Sequence, residues 1–152
     1  MRENWDRAIA SVLMWEGGSA IRANEPGGAV NRGVSLHAFR EEHPDASIQD
    51  LLNMSEAEAR RIYRKNYADK VAFDTLPAGL DAVALHGAVM FGVNGIKKMA
   101  DKAKGDYAYL IILMMQNKMH RTEAVAKFGP GWSDRFVSIY EMAKDLAGLR
   151  SS

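Results

Sequence analysis

A chain of 152 residues has the length of one domain, and at this size folding removes roughly 68 to 70% of the unfolded chain's surface from water. Twenty Lys and Arg against nineteen Asp and Glu leave a formal charge of +1, with 47% hydrophobic and 26% charged residues, which excludes disorder and a surface built to neutralise many phosphates. The absence of cysteine excludes disulfides, zinc-thiolate sites, iron-sulfur clusters and a thiol nucleophile.

Residues 1–7 mix charges of both signs and lack the apolar core and cleavage site of a secretory signal, so Sec-type export is not expected. Trp5, Ile9, Val12 and Leu13 follow helical spacing until Gly17-Gly18, which predicts a first helix ending near Glu16. Residues 18–33 hold several glycines and the turn sequence Glu25-Pro26-Gly27-Gly28, the mark of an ordered loop or small β-hairpin. Ser35 and the Ser47/Asp50 pair are N-caps for two short helices, the first stopping before Pro44. Ser55-Glu56-Ala57-Glu58 is a capping box for a helix over about 55–71. Residues 80–91 are apolar nearly all round, which predicts a helix buried in the middle of the domain. Helices over 96–104, 106–128 and 132–149 complete the chain, with breaks at Gly105 and at Phe128-Gly129-Pro130-Gly131. The apolar run 107–115 falls well short of the ~20 residues that span a bilayer, so no membrane insertion is expected. The fold class is all-α, with strand confined to the loop after the first helix.

Glu16 ends a helix, where the negative end of the dipole disfavours ionisation, and that placement suits a general acid. The same placement also describes an ordinary exposed Glu at a helix terminus. Glu25 follows nine residues on, across a glycine-rich segment that can fold the two carboxylates to opposite sides of a cleft, an arrangement that points to glycoside hydrolysis. Alternatively Glu25 simply opens the turn before Pro26. The histidines at 37, 43, 86 and 120 show no metal-ligand spacing, and neither metal nor cofactor is expected. His86 reads as a core histidine or as a cleft residue. Tyr63 and Tyr67, four apart on one helix face, allow one ring to stack on a sugar while the other packs inside. Arg22 and Arg32 are either solvated or available to substrate carboxylates. The nine methionines, Met114-Met115 among them, read chiefly as core filling.

Glu16-Gly17-Gly18 followed by Pro26-Gly27-Gly28-Ala29-Val30-Asn31-Arg32-Gly33-Val34-Ser35 resembles glycoside hydrolase family 108, the lysozyme-like N-acetylmuramidases of phage endolysins and secretion-linked muramidases. The resemblance continues through Leu36-His37-Ala38-Phe39-Arg40, Ala57 to Tyr67 and Leu76-Pro77-Ala78-Gly79, fades after Gly95 and returns weakly at Phe128 to Arg135. It implies one lysozyme-like muramidase domain over 1–152, with a catalytic part at 1–95 and a shortened helical part at 96–152. It places the catalytic acid at Glu16 and the second carboxylate at Glu25. Asn31, Ser35, Tyr67 and His86 become the substrate-binding candidates. The sequence departs from the family pattern where Glu25 stands for Asp, Ser19 for Tyr, Ile21 for Asn, Val30 for Thr, and His86 and Met90 for an Asp and an Asn of the central helix.

Two functions follow from this resemblance. One is a bacteriolytic hydrolase that cuts the β-1,4 bond between N-acetylmuramic acid and N-acetylglucosamine, made in the bacterial cytoplasm and brought to the wall through a holin, a secretion channel or a virion. The other is a catalytically degenerate descendant that binds peptidoglycan or serves a virion or secretion apparatus. In both the partner is the peptidoglycan glycan strand and not nucleic acid.

Overall fold

The computed structural model describes residues 4–21, 28–119 and 122–149. They group into two compact units, one formed by residues 9–66 and the other by 1–8 with 67–152. Most of the described backbone is helical, and the sheet is small.

In the 9–66 unit, helix α1 (Trp5–Glu16) contributes the buried Ile9, Val12 and Leu13. Its stop is the expected one, since Gly18 takes a φ of +100. A three-stranded antiparallel sheet follows, of β1 (Ser19–Ile21), β2 (Ala29–Asn31) and β3 (Val34–Ser35) in sequential order. Ser35 then caps α2 (Leu36–Arg40), its Oγ accepting from the Ala38 amide. Ser47 and Asp50 form a reciprocal capping box on α3 (Ile48–Leu52).

Ser55 caps α4 (Glu56–Tyr63) by accepting from the Glu58 amide, which is half of the box expected there. The Glu58 carboxylate instead meets His43 Nε2 at 2.6 Å and Arg61 at 3.5 Å, so a tertiary hydrogen bond has outcompeted the local cap. The predicted helix also changes winding along its length, from α over 56–63 to a π turn at Arg64–Ala68 and a 3-10 turn at Asp69–Val71. Leu36, Phe39, Leu51, Met54, Ala59, Ile62 and Tyr63 form the apolar interior of this unit.

The other unit is a helical bundle around α5 (Leu80–Phe91), whose residues 80–88 are all buried. Against it pack α6 (Val93–Ala103), α7 (Tyr107–Met119) and α8 (Thr122–Leu146). Val83, Ile96, Leu110, Met114, Phe136 and Ile139 fill the space between them. Gly79, at a φ of +91, brings the start of α5 so close to α8 that a Cβ would lie 2.6 Å from the Ala143 carbonyl. Asp81 is fully buried with its oxygens occupied: Oδ1 accepts from the amides of Gly79 and Ala82, and Oδ2 from Asn4. The N-terminal residues join the unit through this bond, through Trp5 edge-on to Phe73, and through Arg7 on Asp145 at 2.7 Å.

Two expectations need correction here. Helix α6 begins three residues earlier than the spacing suggested, directly after Gly92. The break expected at 128–131 is absent from the backbone, because α7 ends at Met119 and α8 runs continuously from Thr122 to Leu146. Pro130 costs a helix one N–H bond and about 3 kcal/mol. The buried stripe Phe136, Ile139, Met142 and Ala143 offsets that cost through packing further along the same helix.

Candidate active site

The glycine-rich segment after α1 folds back as a ladder. Ser19 pairs with Asn31 and Ile21 with Ala29 across β1 and β2, while the Arg32 amide donates to the Gly18 carbonyl at 3.0 Å. Asn31 pairs with Val34 across β2 and β3, which leaves Arg32 and Gly33 as a two-residue turn. Both take positive φ, +49 and +75, the requirement of the type I′ turn that matches strand twist. The returning strand thus comes back to the end of α1, where Glu16 is the last helical residue.

Gly33 is where the turn meets that residue. A Cβ there would lie 2.8 Å from the Cβ of Glu16 and would collide with the Tyr63 hydroxyl. The half-buried Glu16 therefore rests its stem on backbone that only glycine leaves open. The turn is held from below by α3 and α4. Asn31 Nδ2 donates to the carbonyls of Leu51 and Leu52 at 2.9 and 3.1 Å, the Tyr63 hydroxyl donates to the Arg32 carbonyl at 3.0 Å, and the Arg32 guanidinium lies 3.6 Å from Glu56.

The sequence-derived candidates fall into distinct places. Glu16 and Asn31 come together at the turn, but the Asn31 amide is buried and gives both hydrogens to the protein, so its carboxamide oxygen alone is uncommitted by these bonds. Ser35 is half-buried at the end of β3, its hydroxyl capping α2. Glu25 and Arg22 lie outside the described residues, as does His120. Tyr67 and His86 belong to the other unit: Tyr67 is half-buried on the π turn, against the bundle core. His86 is fully enclosed in α5, which puts it out of reach of a sugar, as the core reading of this residue anticipated. Burial, reinforced by the Arg135 guanidinium nearby, pushes its pKa down to about 3, so it is neutral at physiological pH. Of the two tyrosines, Tyr63 is the buried one and Tyr67 the partly open one. Among the described residues no group of three or more His, Asp or Glu side chains is placed to hold a metal ion.

Sequence reasoning missed the part played by Tyr63 and Gly33. The type I′ pair Arg32-Gly33 was the available signal for the turn, but contacts across so many residues leave no periodic trace.

A family model described as Glycosyl hydrolase 108 matches residues 9–92. The chain belongs to this family. The match takes in Glu16, the whole sheet, α2 to α4 and α5, and so carries every element of the site just described. This family 108 chain is also similar to the solved structure of Brucella abortus SagA, with a TM-score of 0.79 and 24% identity over 100% of this chain and 99% of that one, a likeness of fold. No curated protein matches it. Family 108 membership makes this a glycoside hydrolase domain of the muramidase-like, mostly helical kind, with a glycan such as peptidoglycan as the substrate class.

Proposed function

We propose that this protein is an N-acetylmuramidase that hydrolyses the β-1,4 bond between N-acetylmuramic acid and N-acetylglucosamine in peptidoglycan. The observation that carries this reading is the seating of Glu16: a carboxyl at a helix end, its stem held on the Gly33 turn, inside the segment that matches a glycoside hydrolase family.

Glu16 gives its proton to the glycosidic oxygen as the bond from that oxygen to C1 breaks, and the leaving sugar departs as an alcohol. Water adds to C1, and its proton passes to a carboxylate. Glu25 is the second carboxylate, either as base for that water or as the charge facing the oxocarbenium-like centre. Ser35 and the Asn31 carboxamide oxygen are the polar groups that the unit of Glu16 offers to the glycan. The work is bacteriolytic, done at the cell wall and reached through a holin, secretion channel or virion.

The test is clearance of purified walls by the wild type beside Glu16→Gln, with analysis of the reducing ends released. Muramic-acid reducing ends from the wild type, reduced about 10² to 10⁴-fold in a folded Glu16→Gln, are the expected result. Equal release by both variants overturns the assignment of Glu16. One observation favours the alternative of a degenerate peptidoglycan-binding descendant: the sealed, neutral His86 occupies the place of a carboxylate in the family pattern. Folded wild type that releases nothing and still pellets with walls is the outcome that reading expects.

A further inference from the structure

We propose that Tyr63 is a positioning residue for Glu16, setting through the Arg32-Gly33 turn where the carboxyl stands; this rests on the muramidase reading above. Tyr63 is 2% exposed, so its ring is fixed by the interior of its own unit and its hydroxyl has one stable location. That hydroxyl donates to the Arg32 carbonyl at 3.0 Å, and the carbonyl leads directly into Gly33. A Cβ on Gly33 would meet the Tyr63 hydroxyl on one side and the Glu16 Cβ on the other, so the bare glycine backbone is the spacer between the two residues.

Arg32 adds a reason for the hydroxyl. It is not glycine yet holds a φ of +49, a conformation that persists only where the surroundings impose it. Its carbonyl bond to Tyr63 and its guanidinium pairing with Glu56 at 3.6 Å are constraints of that kind, and both come from α4. Directly after Tyr63 the helix loosens into the π turn at Arg64–Ala68, a distortion often found where a helix serves a site. Removing the hydroxyl lets the turn relax by a fraction of an ångström, and the Glu16 stem resting on it shifts in turn.

The experiment compares wild type, Tyr63→Phe, Glu16→Gln and the double variant on a soluble glycan-strand oligomer, so that kcat and KM separate. The Glu16 carboxyl carbon resonance, assigned by its loss in Glu16→Gln, is followed in parallel. Phe keeps the ring and therefore the fold, which circular dichroism checks. We expect kcat to fall about tenfold with KM within twofold, since displacements near 1 Å cost about 10²-fold. The Glu16 resonance should move, and Tyr63→Phe should add nothing in the Glu16→Gln background. An unchanged kcat in an active wild type, an unmoved resonance, or losses that multiply in the double variant each overturn the proposal. A wild type that releases no reducing ends overturns the muramidase reading instead, and the resonance then decides the positioning of Glu16 by itself.

Discussion

The two compact units are held together by different means. In residues 9–66 the decisive bonds are single polar atoms on named backbone groups: Asn31 on two carbonyls, Tyr63 on a third, and Ser35, Ser47 and Ser55 on helix amides. In the bundle of α5 to α8 it is apolar volume that fills the interior, and α5 turns an almost unbroken set of buried residues to its neighbours. Volume tolerates exchange among side chains of similar size, whereas a hydrogen bond to one carbonyl fixes a position to a fraction of an ångström. That difference suits the first unit to fix the position of the Glu16 carboxyl, the proposed acid, and the second to supply stability.

The sharpest way to break this contrast is to charge the bundle core. His86 is a fully buried histidine of that core with a pKa near 3, against about 6.5 in an unfolded chain. Above pH 6.5 neither state binds the proton and His86 leaves stability unaffected by pH. As pH falls from about 6.5 towards 3, the unfolded state takes the proton and the native state refuses it, so unfolding is favoured by roughly 1.4 kcal/mol per pH unit and of order 4 kcal/mol over the window. Denaturant titrations across that range should show the wild type losing stability more steeply than His86→Leu, by about this slope. Equal slopes in the two proteins would mean that His86 is solvated and the core is not sealed.

A smaller effect tests the polar side of the contrast. Asn31→Ala deletes two hydrogen bonds and leaves the carbonyls of Leu51 and Leu52 without those donors, one of the bonds being fully buried. The expected loss is about 2 kcal/mol, read from the urea midpoint at unchanged m-value. A loss below about 0.5 kcal/mol would show that water replaces the amide and that α3 does not hold the turn.

What the sequence discloses follows the reach of each interaction. The serine caps and the end of α1 at Gly17-Gly18 were legible because a cap involves atoms within a few residues. Family 108 membership was legible in the spacing from Glu16 to Ser35, and the structure adds why that spacing exists, by returning Gly33 to the stem of Glu16. Three features were hidden because distant groups decide them. Glu58 abandons its local cap for His43, α8 continues through Pro130 because its later residues are buried, and Tyr63 turns a core position into a hydrogen bond on Arg32. Sequence spacing puts Tyr63 and Tyr67 on one helix face but cannot say which ring is buried or which carbonyl its hydroxyl meets.

The smallest effect lies at the surface of the first unit, where Glu42 is the hub of a charged group. Its oxygens lie 3.1 Å from Lys65 and 2.7 Å from Arg61, and its side chain is 14% exposed. The hydrogen bond from Lys65 holds the Glu42 carboxyl below the usual carboxylate range; desolvation opposes that, and the Arg61 and Lys65 charges reinforce it. A carboxyl whose pKa is lower folded than unfolded stabilises the native state above its unfolded value near 4.5, and the contribution disappears as pH falls through the folded value. Glu42→Gln should therefore be less stable than wild type at pH 7, by no more than about 1 kcal/mol since both cations are largely exposed, and the two proteins should converge once pH has fallen through the lowered folded value. The gap at pH 7 should also narrow in high salt, because the Debye length shrinks from about 8 Å at physiological ionic strength to about 3 Å at 1 M. A gap indifferent to both pH and salt would reassign the effect to packing of the Glu42 stem, and this corner of the unit would then obey the rule of the bundle.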